Sequence, residues 1–128
     1  MGAFTVDCEL QELTRKRPPV NVRKVIVDTG SEYTWLPETV LAEAGISVSK
    51  KGLTFVMANS ITIARDVGYA YLRSAEFETV DEVVFAKPGD LRLLGARTIE
   101  GFAALVDARQ KRLVASGPIP AAGQGQDQ

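Results

Sequence analysis

Residues 25–37, VIVDTGSEYTWLP, decide how this chain is interpreted. Three β-branched residues lead into Asp28, the sequence Thr-Gly-Ser follows, and Pro37 closes an aromatic-rich stretch. This pattern predicts a strand that ends on an acid and is followed by a tight turn at Gly30. The acid is either part of an ordinary strand-ending Asx turn or a carboxylate held in place for chemistry.

The composition is that of one globular domain. The 128 residues are 45% hydrophobic and 24% charged, with 15 basic and 16 acidic side chains. A net charge of −1 gives no electrostatic basis for binding nucleic acid or an anionic membrane surface. No apolar run has the length of a membrane span. We therefore expect neither nucleic acid nor a membrane as a partner.

Histidine is absent from the chain, and cysteine occurs once, as Cys8. These two facts exclude Ser-His-Asp and Cys-His catalysis, His-based zinc sites and thiolate clusters. Acid–base chemistry falls to carboxylates, lysine, tyrosine or Cys8, and neither a metal nor another cofactor is expected. A lone cysteine forms no intrachain disulfide, and the N-terminal residues lack the pattern of a signal peptide. Both features predict a cytoplasmic location.

Hydrophobic periodicity predicts strands along most of the chain. The predicted strands are residues 3–10, 22–28, 53–58, 61–74 and 79–86. Turns are predicted at residues 14–21, which contain two adjacent prolines, and at residues 87–90, where proline and glycine are adjacent. Pro37 fits the first position of a short helix that stops at Gly45 in a left-handed conformation.

The segment at residues 98–113 admits two interpretations. Helical periodicity extends over all of it, but Gly101 and the apolar run that follows favour a short helix at residues 98–102 and then a hairpin. The second interpretation, which we adopt, gives strands at residues 104–107 and 112–114.

The predicted architecture is one mostly antiparallel β domain with one or two short helices. This domain covers residues 1–120. The Gly/Pro/Gln-rich residues 121–128 are expected to form a disordered tail.

Residues 25–31, VIVDTGS, resemble the active-site segment of aspartic proteases of the retropepsin-like superfamily, in which hydrophobic residues precede Asp-Thr/Ser-Gly-Ala/Ser. A second signature of that superfamily is two hydrophobic residues and a glycine that lead into a short helix. Residues 93–96, LLGA, followed by RTIEGF, match it. The order of elements agrees over about residues 3–115. The spacing looks closest to small single-domain bacterial and archaeal members.

The resemblance implies a single-domain, mostly β fold, described as a closed β-barrel with one or two short helices, that works as a C2 homodimer. Asp28 would be the catalytic carboxylate. The supporting loop residues would be Thr29, Gly30 and Ser31. Thr29 would form interlocking hydroxyl hydrogen bonds beneath the acid, and Gly30 would allow a close approach. Leu94 and Gly95 would be scaffold beside the loop.

The resemblance also implies a flap that covers a bound peptide. The hairpin at residues 54–64 takes this position, and its tip would be formed by Ala58, Asn59 and Ser60. The tip contains no glycine, although glycine is usual at such flaps.

Peptide hydrolysis by this route needs two carboxylates about 3 Å apart that share one proton. One carboxylate activates water as a base, and the other donates a hydrogen bond to the carbonyl oxygen. The chain has one Asp-Thr-Gly, and that setting is lacking at Asp66, Asp81, Asp90 and Asp107. Asp28 must therefore meet its own copy across a twofold axis. The expected partners are a second copy of this chain, through residues 2–8 and 111–120, and a peptide or unfolded protein substrate.

Two other interpretations stay open. Residues 28–34 also match the Asp-x-Gly-Ser/Thr-x-x-Ser/Thr phosphate loop of the actin-like ATP-binding fold, but that fold needs two large lobes and a second phosphate loop. The stronger alternative is a retropepsin-fold dimer that does not cleave and serves as a peptide-binding or assembly module. The intact Asp28-Thr29-Gly30 favours catalysis, because a binding module has no need of a close pair of carboxylates.

Overall fold

The computed structural model describes residues 3–121, so the predicted tail lies outside the described residues except for its first member. The elements, in chain order, are β1 (Thr5–Gln11), β2 (Val20–Val27), β3 (Thr34–Pro37), α1 (Glu38–Ala44), β4 (Lys50–Val56), β5 (Thr62–Ser74), β6 (Phe77–Ala86), β7 (Leu93–Leu94), α2 (Ala96–Gly101), β8 (Ala104–Asp107) and β9 (Arg112–Ala115). The prediction of a mostly β fold with two short helices is confirmed. Neither helix is long and apolar enough to cross a membrane, as judged over the described residues.

Seven strands form one sheet in the order β1-β2-β7-β3-β6-β5-β4. A further pairing joins β1 to β5, so the six strands other than β4 form a closed ring of pairings. The strand β4 extends from this ring through its antiparallel pairing with β5. The pairings β2–β7 and β3–β6 are parallel, and β8 and β9 form a separate antiparallel pair. Closure of the ring leaves few free strand edges.

The hydrophobic core lies inside the ring. Alternation along the strands directs one set of side chains inward, and α1 adds Leu41 and Ala44 to that set. The largest fully buried side chains of this core are Leu10, Val25, Leu36, Leu41, Leu72, Val83 and Leu94. A smaller apolar cluster around Trp35 lies on the other side of the sheet, where β4 and β5 project. This second cluster supports the candidate site.

The strand β3 was not predicted, because it lacks the period-2 alternation of a half-buried strand. Its first three residues are all buried, since β7 and β6 flank it. Pro37 is the last residue of β3, with φ −57° and ψ 135°, so it precedes α1 instead of occupying its first position as predicted. Gly45 adopts φ 77° and its N–H donates to the Ala42 carbonyl, which confirms the left-handed stop.

Several strand ends differ from the prediction by a few residues. The strand β2 begins at Val20, inside the turn predicted at residues 14–21, and β4 begins at Lys50, three residues early. In the C-terminal segment the short helix and hairpin are confirmed, and α2 begins two residues early, at Ala96. Ala103, with φ 55°, ends the helical stretch and excludes one continuous helix.

Candidate active site

Asp28 directly follows β2, and neighbouring segments hold its backbone on both sides. The Asp28 N–H donates to the Leu94 carbonyl at 3.0 Å, and the preceding Val27 N–H donates to the Phe4 carbonyl at 2.9 Å. The Asp28 carbonyl accepts the N–H of Ser31 at 3.1 Å, which closes the turn. The strand end and the turn thus fix where the acid projects.

The Asp28 carboxylate is oriented by its own loop. The Gly30 N–H donates to Asp28 Oδ1 at 2.9 Å. A Cβ on Gly30 would lie 3.1 Å from that oxygen, so a larger residue would crowd the carboxylate. Asp28 is half-buried, whereas Thr29 and Gly30 are exposed. The loop that carries the acid is therefore open to solvent on the single chain.

Two hydroxyls follow Asp28 in the loop, and they behave differently. Ser31 Oγ donates to the Tyr33 carbonyl at 2.7 Å and so stabilises the turn. The Thr29 side chain is exposed and is absent from the side-chain hydrogen bonds formed among residues 3–121. Its interlocking hydrogen bonds stay a prediction that concerns two chains.

The segment at residues 94–97 lies against the Asp28 loop. Gly95 approaches the Tyr33 carbonyl so closely that a Cβ would overlap it. Two further backbone hydrogen bonds join the segments, Ala96 N–H to Ser31 O at 2.7 Å and Arg97 N–H to Glu32 O at 3.2 Å. Leu94 is fully buried. The structure thus brings Leu94 and Gly95 together with Asp28.

A buried chain of polar groups runs behind this segment. The Gly95 N–H donates to Thr34 Oγ1 at 2.9 Å, and Thr34 Oγ1 lies 2.6 Å from Thr98 Oγ1. Thr98 Oγ1 donates to Asp81 Oδ2 at 2.9 Å, and Asp81 Oδ1 accepts the N–H of Glu82 at 2.7 Å. Sequence reasoning missed these partners, because Thr34 and Thr98 are 64 positions apart and no sequence pattern pairs them.

A cleft of about 420 Å³ opens beside Asp28. It is lined by Asp28, Gly30, Ser31, Glu32, Tyr33, Trp35, Phe55, Val56, Met57, Ala58, Asp90, Leu91 and Leu93. An aromatic cluster forms one wall. The centroid of the Phe55 ring lies 4.9 Å from the centroid of the Trp35 ring and 5.4 Å from that of the Tyr33 ring. An apolar wall with few polar groups is typical of sites that hold side chains of a ligand.

The β4–β5 hairpin contributes Phe55 to this wall and continues along the cleft with Val56, Met57 and Ala58. Its turn is closed by Met57 N–H to Ile61 O at 2.9 Å and by Ser60 N–H to Met57 O at 2.8 Å. Of the three predicted tip residues, Ala58 lines the cleft, whereas Asn59 and Ser60 lie beyond it. Asn59 Oδ1 accepts the Ile61 N–H, and Ser60 holds φ 68° in place of a glycine.

Asp90, one of the acids that line the cleft, forms an ion pair with Arg65. Arg65 Nε and Nη2 donate to its two oxygens at 2.7 and 2.9 Å, and the Lys87 N–H donates to it at 2.8 Å. The Arg65 guanidinium holds the pKa of Asp90 below its usual range. Asp90 is therefore no second catalytic carboxylate for Asp28.

Glu82, next to Asp81, is buried and forms a second ionic cluster. Arg97 Nη2 lies 3.0 Å from Glu82 Oε1, and the Lys50 ammonium lies 2.7 Å from Oε2, which has no well-directed hydrogen bond among the described residues. Burial raises the pKa of Glu82, but these two cations outweigh it and the net pKa is lowered. Arg97 also stacks on the Tyr33 ring, 4.7 Å from its centroid. The cluster thus supports the cleft wall.

Comparisons with known proteins support the fold. No family model matches the chain, and no curated protein sequence matches it. Among solved structures, the chain is similar to the crystal structure of the retroviral protease-like domain of Ddi1 from Leishmania major. The TM-score is 0.56 at 12% identity, over 92% of this chain and 91% of that chain. The predicted retropepsin-like fold is confirmed, and at this identity the likeness concerns the fold alone.

Proposed function

We propose that this chain is one subunit of a homodimeric aspartic endopeptidase of the retropepsin-like type. The observation that carries the proposal is the half-buried Asp28, oriented by Gly30 at the edge of an aromatic cleft. The fold likeness and the Asp-Thr-Gly loop point to the same chemistry. In this interpretation the ring of strand pairings is the closed barrel of the superfamily.

The proposed reaction uses both copies of Asp28. With the carboxylates about 3 Å apart and one proton between them, one accepts a proton from water while the other donates to the carbonyl oxygen of the peptide. The water oxygen bonds to the carbonyl carbon, the C–N bond then breaks, and the leaving nitrogen takes a proton. A second copy is required, because the other acids of the cleft are the exposed Glu32 and the ion-paired Asp90.

The surface around Asp28 supports association of two copies. Thr29 and Gly30 are exposed beside the acid. Large apolar side chains are also exposed in the cleft lining, at Val56 and Leu91, and in the turn of the β4–β5 hairpin, at Ile61. These groups would be covered by a second copy and by a bound peptide, with the β4–β5 hairpin acting as the flap. A cytoplasmic location and kinship with small bacterial and archaeal members belong to the same proposal.

The test is cleavage of an unfolded protein and of a peptide library by the purified chain between about pH 3 and 8. We expect cleavage at acidic pH, and we expect Asp28→Asn to abolish it while the dimer persists. Asp107→Asn is the matched control, because Asp107 makes the same type of turn contacts outside the cleft. A wild-type dimer that cleaves nothing over this range would refute the catalytic proposal.

A non-catalytic peptide-binding or assembly module is the second candidate. It is favoured by the glycine-free hairpin tip, where Ser60 takes the left-handed conformation and Asn59 bonds to Ile61. A stiff cover opens slowly, which suits retention of a peptide more than turnover. This candidate predicts peptides that bind in the cleft and are recovered uncut, and that still bind to the Asp28→Asn variant.

A further inference from the structure

We infer, on the basis of the proposed function, that Asp81 is a positioning residue for the catalytic loop and acts through Thr98 and Thr34. Asp81 lies on β6 and lines none of the cleft. Its influence on Asp28 runs through the buried hydroxyls described above. Both threonine residues are fully buried, with 0% exposure.

The direction of each hydrogen bond follows from the end groups. An ionised carboxylate only accepts, so Thr98 donates to Asp81 and must accept from Thr34. Thr34 thereby uses its proton on Thr98 and presents a lone pair to the Gly95 N–H. Because Asp81 is the terminal acceptor, it sets the direction of each hydrogen bond in the series from Gly95 through Thr34 and Thr98.

A single peptide group connects this chain of hydroxyls to the catalytic loop. The Gly95 N–H and the Leu94 carbonyl belong to one planar unit. Thr34 holds the N–H end at 2.9 Å, and the carbonyl end accepts the Asp28 N–H at 3.0 Å. A rotation of this unit would move both ends. Fixing Gly95 therefore fixes the backbone from which the Asp28 carboxylate projects.

Burial makes the arrangement sensitive to the loss of one hydroxyl. A buried hydroxyl without a partner is costly, and hydrogen bonds in series in a low-dielectric interior reinforce one another. Valine has the shape of threonine, so an apolar pair at these two positions would satisfy packing alone. The polar pair adds orientation of the Leu94–Gly95 peptide group, which packing does not supply.

The experiment compares Thr98→Val, which removes the hydroxyl and keeps the shape, with Thr98→Ser, which restores the hydroxyl. We expect Thr98→Val to speed amide hydrogen exchange at Asp28 and Gly95 about tenfold, and to lower kcat about tenfold with KM changed less than about twofold. Thr98→Ser should return both quantities to within about threefold of the wild type. Asp81→Asn should change the same quantities in the same direction, because its amide NH2 must face either the Thr98 hydroxyl or the Glu82 N–H, both of which now donate to the carboxylate.

Ser74→Ala is the matched control, because Ser74 is a buried hydroxyl that donates to the Asp7 carbonyl at 2.9 Å, away from the cleft. It should destabilise the chain without faster exchange at Asp28 or a lower kcat. The inference would be overturned if the amides of Asp28 and Gly95 exchanged in Thr98→Val at the same rate as in the wild type. An equal effect of Ser74→Ala on these rates would also overturn it. If the wild type cleaves nothing, the proposed function fails and the exchange comparison still decides the positioning role.

Discussion

The Asp28 loop depends on two glycines that are constrained by space and not by backbone conformation. At Gly95 a Cβ would overlap the Tyr33 carbonyl, although φ is −91°, a value open to any residue. At Gly30 a Cβ would press on the Asp28 carboxylate. In both places the missing side chain lets two backbone segments, or a backbone and the acid, come into contact.

Gly95→Ala should destabilise the chain by about 1–3 kcal/mol, because the overlap is with backbone and the loop must shift to relieve it. Gly101→Ala is the control. There the Cβ would meet only the side chain of Thr79, whose own Cβ at 3.1 Å must shift by a few tenths of an ångström, and alanine favours the helix α2, so a smaller loss of stability is expected than at Gly95. Urea unfolding of the two variants measures the difference. Equal stability of the two would contradict a steric role of Gly95.

Cys8 should be unreactive in the folded chain. Burial raises the pKa of its thiol from 9.0 to about 12. The thiolate is the reactive form, so labelling with a disulfide reagent at pH 8 should be about 100-fold slower in the folded chain than in urea. Because the folded pKa is the higher one, this burial stabilises the chain fully below pH 9.0, and the stabilisation is lost as the pH rises toward 12. Rapid labelling of folded protein would contradict the burial of Cys8.

At the scale of elements, one ion pair joins the two sides of the cleft. Arg65 lies on β5, the second strand of the flap-like hairpin, and Asp90 lies in the turn after β6. Their side chains are 15% and 13% exposed, so water screens the pair only weakly. The hairpin and the wall of the cleft that carries Leu91 are therefore held together in the absence of a ligand.

Asp90→Asn should lower the free energy of unfolding by about 1–3 kcal/mol at pH 7, since it leaves Arg65 without its charged partner. The folded pKa of Asp90 is below its ordinary value of 3.8, so the pair contributes fully above that pH. The contribution is lost as the pH falls through the lowered pKa. The difference in free energy of unfolding between the wild type and Asp90→Asn should disappear there.

Denaturant unfolding of the wild type and of Asp90→Asn, from pH 7 to pH 2, measures how the difference between their free energies of unfolding changes with pH. Asp66→Asn is the control, because Asp66 is adjacent to Arg65 but accepts only a backbone N–H, from Gly52, among its hydrogen bonds in residues 3–121. A difference that stays constant down to the lowest pH would show that ionisation of Asp90 is not its source.

The elements that the sequence predicted correctly are those marked by local residues. Gly45 marks the end of α1, Gly101 indicates the break before β8, and the β-branched run before Asp28 marks β2. The strand β3 was not predicted, because a strand that is buried on both faces does not alternate between apolar and polar residues. The resemblance implied a closed sheet, but the pairing that closes it, between β1 and β5, was not predicted, because no local pattern indicates which strands pair.

The candidate site divides in the same way. The acid and its glycine turn are contiguous in sequence and were predicted as a motif, and so was the LLGA segment that supports them. The Arg65–Asp90 pair and the cluster around Glu82 were not predicted, since the partners are common charged residues that only the tertiary fold brings together. Asp81 was set aside as an aspartate without the Asp-Thr-Gly setting, and its buried contacts were found only in the structure.

At the scale of the whole molecule, a closed ring of strand pairings surrounds the core, whereas the side that carries the Asp28 loop is exposed to solvent. The ring of strands encloses the core, while the Asp28 loop and the apolar hairpin residues Val56 and Ile61 face solvent. A dimer through this open side predicts a thermal midpoint that rises with protein concentration, because association stabilises the folded state by mass action. Sedimentation at the same concentrations should detect twice the mass of one chain.

Subunit mixing tests whether one active site takes an acid from each copy. Wild type and Asp28→Asn are mixed in equal amounts and allowed to exchange, so about a quarter of the dimers carry two intact acids. If both acids are needed, the mixture should cleave at about half the rate of the same wild-type chains alone, because half of those chains now sit in dead heterodimers. Native mass spectrometry with a tagged variant verifies the exchange. An undiminished rate in a fully exchanged mixture would mean that each chain holds a complete site, and the shared pair of Asp28 carboxylates would then be wrong.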